Sequence, residues 1–275
     1  MNDYLIRCLV AKSQLRFLAV DAPLTVRQAQ LCHQLPAKSG ADLGASLLGT
    51  LLLQQVLTKD AAPVAVNLTS SGVTIVTDAE KPGQVRGYLK SENNSKLGVT
   101  LPGVLTVSRF DDLHQPFRGQ IELSSPIIAP NYTQYLQQSE QITSQMVCVL
   151  TQDEAGTIIH AKGLLLQALP QTPTKVWQAA QIKLKNLTAS ISELSLEECL
   201  KQLTPDQPAI ATTRLPVAWQ CSCSKERFEA GLATLGLSDL QDLAAQKTAV
   251  ETVCPFCRAH YDFTPTEIAD LIAEK

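Results

Sequence analysis

The chain has 275 residues, of which 45% are apolar, 18% charged and 5% aromatic, with a formal net charge of −3. That length suits one large domain or two smaller ones with a real core, and the apolar share argues against wholesale disorder. The near-neutral balance also speaks against a generic nucleic-acid or polybasic membrane binder, which would carry a basic surplus.

The N-terminal residues Met1 to Arg7 mix both charges and show no basic start, apolar run or small-residue cleavage site, so no signal peptide and a cytoplasmic chain with reduced cysteines are expected. Short β-branched or alternating segments predict strands at 14–20, 64–68, 73–77, 84–89, 104–108, 119–123, 146–151 and 158–169. Helices fit 26–57, broken near Pro36 to Gly40, and 131–143. The most apolar stretch, Leu43 to Thr58, carries Ser46, Thr50, Gln54 and Gln55. It is too short and too polar to span a bilayer, and its leucines recur at helical spacing, which predicts a buried helix. Strands and helices without regular alternation give the α+β class, with a mixed β-sheet main domain over 1–170 and helices packed on it.

Residues 171–218 hold helical stretches separated by Pro173, Pro205, Pro208 and Pro216, read as a helical linker packed on its neighbours. Ser195-Leu196-Glu197-Glu198 has the capping-box pattern. Residues 219–275 form a compact tail with 5 basic and 9 acidic residues. Ser224 suits the N-cap of a helix reaching about Leu235, and Thr264-Pro265-Thr266-Glu267 starts a last helix.

Eight cysteines divide unevenly: Cys8, Cys32, Cys148 and Cys199 stand alone, while Cys221, Cys223, Cys254 and Cys257 crowd the tail. Residues two apart on an extended segment face the same way, and a Cys-x-x-Cys turn also brings its sulfurs together. Four thiolates in two close pairs suit one tetrahedral Zn²⁺. Four buried core cysteines would be the plainer reading, but two independent close pairs tell against it. Cys254-Pro255-Phe256-Cys257 looks thioredoxin-like, yet the following residues alternate like a strand and do not open a helix. A zinc-ribbon nucleic-acid binder would want Lys and Arg where this tail is acidic. His260 is an available substitute ligand beside the four thiols.

A 57-residue tail buries little surface, so bound metal would be its staple, and zinc on thiolates supplies on the order of 10 kcal/mol of folding energy. Oxidation destroys the ligands. Cα atoms two apart on a strand are roughly 6.6 Å apart, near the outer limit for a disulfide, so bridging Cys221 to Cys223 would require the segment to bend. Oxidation, zinc release and local unfolding are therefore expected to be coupled.

The chain resembles the redox-regulated holdase chaperones, the thirty-three-kilodalton heat-shock chaperonin family. The specific match lies in Cys221-Ser222-Cys223-Ser224-Lys225-Glu226-Arg227 and in Cys254-Pro255-Phe256-Cys257 followed by Tyr261 and Phe263. Upstream, Asp3-Tyr4-Leu5 with Arg7, Arg86-Gly87-Tyr88, Ser139-Glu140-Gln141 and Gly163-Leu164-Leu165-Leu166-Gln167 follow in order. The resemblance implies a cytoplasmic, ATP-independent chaperone and not an enzyme, inactive while reduced with one Zn²⁺ on the four cysteines. It implies that oxidation joins Cys221 to Cys223 and Cys254 to Cys257, releases zinc and loosens the tail and linker. Unfolding or oxidatively damaged client proteins are then held, with client binding and dimerisation assigned to the main domain and a homodimer as the active form; nucleic acid and membranes are not expected partners. Such linkers are often highly charged, whereas residues 171–218 here carry 9 charged residues of 48. The reading from another class is a zinc-stabilised thiol–disulfide oxidoreductase acting on proteins. His33, His114 and His160 lack companion motifs, Glu140 suits a helix-turn contact or a buried polar anchor, and the four lone cysteines suit small apolar packing.

Overall fold

The structure, a computed structural model, describes residues 2–10, 12–58, 62–91, 98–110, 115–204, 211–246, 248–273 and 275. The chain divides into two compact units, residues 1–220 and 221–275. The first opens with β1 (Tyr4–Val10) and β2 (Leu15–Asp21), then α1 (Pro23–Cys32) and α2 (Ala37–Leu57). Next come β3 (Val64–Ser70), β4 (Val73–Lys81), β5 (Gln84–Ser91), β6 (Gly103–Phe110) and β7 (Pro116–Glu122). After α3 (Ile128–Gln138) follow β8 (Ser144–Gln152) and β9 (Ile158–Ala168), then α4 (Thr174–Leu187), a short 3₁₀ turn at Ile191–Glu193 and α5 (Leu196–Leu203). Strands β10 (Ala211–Pro216) and β11 (Ala218–Trp219) close the unit. The second unit holds α6 (Lys225–Leu232), α7 (Leu237–Ala245), β12 (Val250–Val253), β13 (His260–Phe263) and α8 (Pro265–Ala273).

Two sheets organise the first unit. Sheet I runs β10-β1-β2-β9-β8, antiparallel throughout, and sheet II runs β11-β5-β4-β3-β6-β7, antiparallel except where β11 joins β5 in parallel. Helix α2 packs against strands of both sheets, and Leu43, Leu47, Leu48, Leu51 and Leu52 are fully buried in the core they share. Its residues are buried on nearly every side, which explains an apolar run without a single apolar stripe. Among the described residues no helix is long and apolar enough to cross a membrane. Two of the polar residues of α2 are paired inside the core: Ser46 and Thr50 share a buried hydroxyl network with Thr77 and Tyr132 at 2.6–3.4 Å. Gly49 makes that possible, because a Cβ there would come within 2.7 Å of the Tyr132 ring.

The other face of sheet I carries a second apolar cluster. Ile6, Cys8, Phe17, Ala19, Leu164 and Leu166 meet Ala180, Leu184 and Leu187 of α4, Ile191 of the turn, and Leu196, Cys199 and Leu203 of α5. The segment expected as a helical linker thus also supplies edge strands to both sheets, through β10 and β11. The α+β class stands, as do the strands expected in 64–169. Helix α3 starts three residues before the expected Asn131, because Pro130 sits in its first turn, where no N–H is needed. It ends at Gln138, not Thr143, and Gln141 beyond it takes a positive φ of 55° that a helix cannot continue through.

Candidate metal centre

In the second unit, residues 221–224, outside any helix or strand, lead from Cys221 and Cys223 into α6, whose extended N-cap Ser224 accepts the Arg227 N–H at 3.3 Å. The other pair sits in the turn between β12 and β13. There the Cys254 N–H donates to Ala259 O at 2.8 Å and the Arg258 N–H donates to Cys254 O at 2.9 Å. Arg258 closes the loop at a φ of 61°. The C-x-x-C segment is thus a hairpin knuckle, and no helix begins at Cys254 as a thioredoxin-like site requires.

These two loops bring all four cysteine sulfurs within 4.8 Å of one another. Cys221 Sγ lies 3.7 Å from Cys254 Sγ, and Cys223 Sγ lies 3.2 Å from Cys257 Sγ. A tetrahedral site with metal–sulfur bonds of about 2.3 Å places its sulfurs roughly 3.8 Å apart. The cluster therefore fits one such ion, with Cys254 buried and the other three half-buried. It is the one group of three or more His, Cys, Asp or Glu residues so placed among the described residues.

The surroundings push two of the sulfurs in opposite directions. Burial raises the Cys223 thiol, but the hydrogen bond from the Tyr261 hydroxyl at 3.1 Å, with those from the neighbouring cysteines, brings it down to about 7. Burial and the sharing of protons among the sulfurs push Cys257 the other way, well up. Donating to Cys223 raises the Tyr261 hydroxyl to about 12. The Tyr261 ring meanwhile packs on Phe228, centroids 5.0 Å apart, so one side chain ties α6, β13 and the sulfurs together. The alternation of Tyr261 with Phe263 was legible; that the tyrosine reaches a sulfur was not.

Behind the sulfurs the apolar core is small, with Leu240, Phe263, Ile268 and Leu271 buried. Thr264 and Glu267 form the expected cap of α8: the Thr264 N–H donates to Glu267 Oε2 at 2.7 Å and the Glu267 N–H to Thr264 Oγ1 at 3.3 Å. Lys225 reaches Glu267 at 2.5 Å and lies over the Phe263 ring, a tie between α6 and α8 that sequence reasoning missed. These contacts, the Lys225 ammonium first, hold the Glu267 carboxyl down to about 2.

His260 turns to Glu251 across the hairpin at 2.5 Å, exposed, and is not among the clustered ligands. Glu140 is the polar anchor, accepting from the Tyr135 hydroxyl at 2.8 Å and from Arg109 at 3.1 Å. His33 packs edge-on against Trp219, and His114 lies outside the described residues. Cys8 and Cys199 are buried in the second cluster. Burial raises the thiols of Cys8, Cys148 (to about 12) and Cys199 (to about 11), which makes them poor nucleophiles.

Known proteins resemble the whole chain. The 33 kDa chaperonin of Levilactobacillus brevis is 31% identical, the alignment covering 100% of this chain and 99% of the relative. That of Latilactobacillus sakei is 30% identical, with 100% of both covered. The crystal structure of the 33 kDa chaperonin, a heat shock protein 33 homolog, from Thermotoga maritima superposes with a TM-score of 0.86 at 21% identity, covering 100% of this chain and 99% of that one. The family model described as Hsp33 protein matches residues 3–264, a span that takes in both sheets and all four clustered cysteines, and the chain belongs to that family.

Proposed function

We propose that this protein is a redox-regulated, ATP-independent holdase, a chaperone that binds unfolding proteins without refolding them, and not an enzyme. The observation that carries the reading is the convergence of four sulfurs within 4.8 Å in a unit with a small apolar core, in a chain of the Hsp33 family. Cys221, Cys223, Cys254 and Cys257 would hold one Zn²⁺ in the reduced form, which cross-links the two loops and contributes folding energy. Each pair of thiols loses two electrons and two protons to an oxidant of the peroxide or hypochlorite class and forms one S–S bond. The expected pairs are Cys221–Cys223 and Cys254–Cys257. Neither pair can then serve as thiolate ligands, and the second unit loses its staple.

The chain runs directly from β11 into Cys221, so loss of order there reaches residues 171–218 through the backbone. Loosening α4 and α5 would uncover Ile6, Phe17, Leu164 and Leu166 on sheet I, an apolar face for clients with unfolded or oxidatively damaged segments. A homodimer in the oxidised form, cytoplasmic location and indifference to nucleic acid and membranes belong to the same reading. The acidic balance of the tail supports the last point.

The test starts from reduced, zinc-loaded protein treated with peroxide or hypochlorite under mild heating. Zinc release, disulfide mapping and light scattering of a heat-unfolded client are followed together. Release with stoichiometric suppression of aggregation is expected; release without suppression would sink the chaperone reading. Catalytic turnover in insulin reduction would point to the oxidoreductase instead.

A further inference from the structure

On β9, the alternate residues His160, Lys162, Leu164 and Leu166 share the sheet I face that α4 and α5 cover. Lys162 breaks an apolar series and is nonetheless 5% exposed. Its ammonium donates to three backbone carbonyls, Ile191 O at 3.2 Å, Ser192 O at 2.9 Å and Leu194 O at 2.5 Å. Its cross-strand partner Asp21 stands 3.5 Å away and balances the charge. Every carbonyl it engages belongs to the turn joining α4 to α5. An ammonium has three protons, and here each has a carbonyl of the same turn.

We propose that Lys162 is the positioning residue of the switch: it fastens the α4–α5 turn to sheet I and so sets how much oxidation is needed before that segment leaves. The inference rests on the holdase reading and names the regulation of that same device. Apolar contacts hold the segment against the sheet without fixing its register, whereas three directed bonds to one turn do fix it. The contact is also reversible. When the turn lifts, Lys162 and Asp21 pass to water as an ordinary hydrated pair, and solvent has a route through a cavity of about 560 Å³ bordered by Tyr4, Asp21, His160, Lys162, Ser195 and Glu198. Without the ammonium, the half-buried carbonyls of Ser192 and Leu194 would lose this donor and the buried Ile191 O would keep only the 3.4 Å bond from the Leu194 N–H, so the docked state alone suffers.

The experiment uses the full-length, reduced, zinc-loaded protein and its Lys162→Met and Lys162→Arg variants. Amide exchange, zinc content and the oxidant dose giving half-maximal client protection are measured. In Lys162→Met, exchange in 187–203 should rise on the order of 10- to 100-fold, from charge-assisted bonds removed, with zinc content and protection of β3 to β7 unchanged. Half-activation should need less oxidant while the plateau stays the same, and Lys162→Arg should restore much of the threshold. Asp21→Asn, a milder change, should act in the same direction. Parent-like exchange in Lys162→Met, equal acceleration of β3 to β7, or an unshifted threshold would each overturn the proposal. If the segment opens in Lys162→Met but neither it nor the oxidised parent protects a client, the holdase reading fails and the latch itself survives.

Discussion

Removing the metal while keeping the thiols reduced isolates the staple from the chemistry of oxidation. Within the second unit α6, α7 and α8 contain 8, 9 and 9 helical residues, against 10, 21, 11, 14 and 8 in α1 to α5. If that unit depends on the metal, a chelator with reductant at 25 °C removes roughly three-tenths of the helical signal at 222 nm, because metal binding and folding are one equilibrium. The fluorescence supplies an internal control. Both tryptophans, Trp177 of α4 and Trp219 of β11, lie in the first unit, so an unchanged emission maximum confines the loss to the second unit and a red shift shows that it has spread to α4 or β11. Adding zinc back should restore the signal. Full ellipticity in protein shown by elemental analysis to be metal-free would refute the claim that the four-residue apolar core needs a staple.

Cys254→Ser exchanges the buried ligand for a weak one, and is expected to lower zinc content and make the second unit protease-sensitive without oxidant; unchanged zinc and digestion would remove Cys254 from the site. Tyr261→Phe keeps the ring on Phe228 and deletes the donor to Cys223, so zinc affinity by competition with a chromogenic chelator should fall about 10-fold, as for other groups that support metal ligands. Leu184→Ala empties a fully buried position of α4, at a cost of about 2–5 kcal/mol to the docked segment. Amide exchange should quicken across 174–203 ahead of β3 to β7; uniform acceleration would show that the segment does not move separately.

What could be read beforehand follows from how far each signal extends along the chain. Strands β3 and β4 declare themselves because one face is buried and the other is not, a pattern complete within each strand. The cysteine cluster was legible because ligand chemistry tolerates few spacings. Strand β10 gives no such sign: Thr212, Thr213 and Arg214 are exposed, and its existence depends on β1, some two hundred residues away. Lys162 is hidden for a similar reason, since a lysine in a strand reads as solvent-facing until three carbonyls of a distant turn are found around it. Tertiary partners decide these cases, and local pattern cannot report them.

Strands β10 and β11 hold the short run that stitches the edges of both sheets together just before Cys221. The two ladders differ in length: β11 matches β5 at two positions, whereas β10 matches β1 at six. Peeling that starts at the cysteines therefore meets a short seam and then a long one. Releasing the short seam would free Trp219 from the margin of sheet II and from the His33 ring; releasing the long one would strip a whole margin from sheet I. In the proposed switch the run would act as a graded fuse, the two-residue seam yielding before the six-residue one.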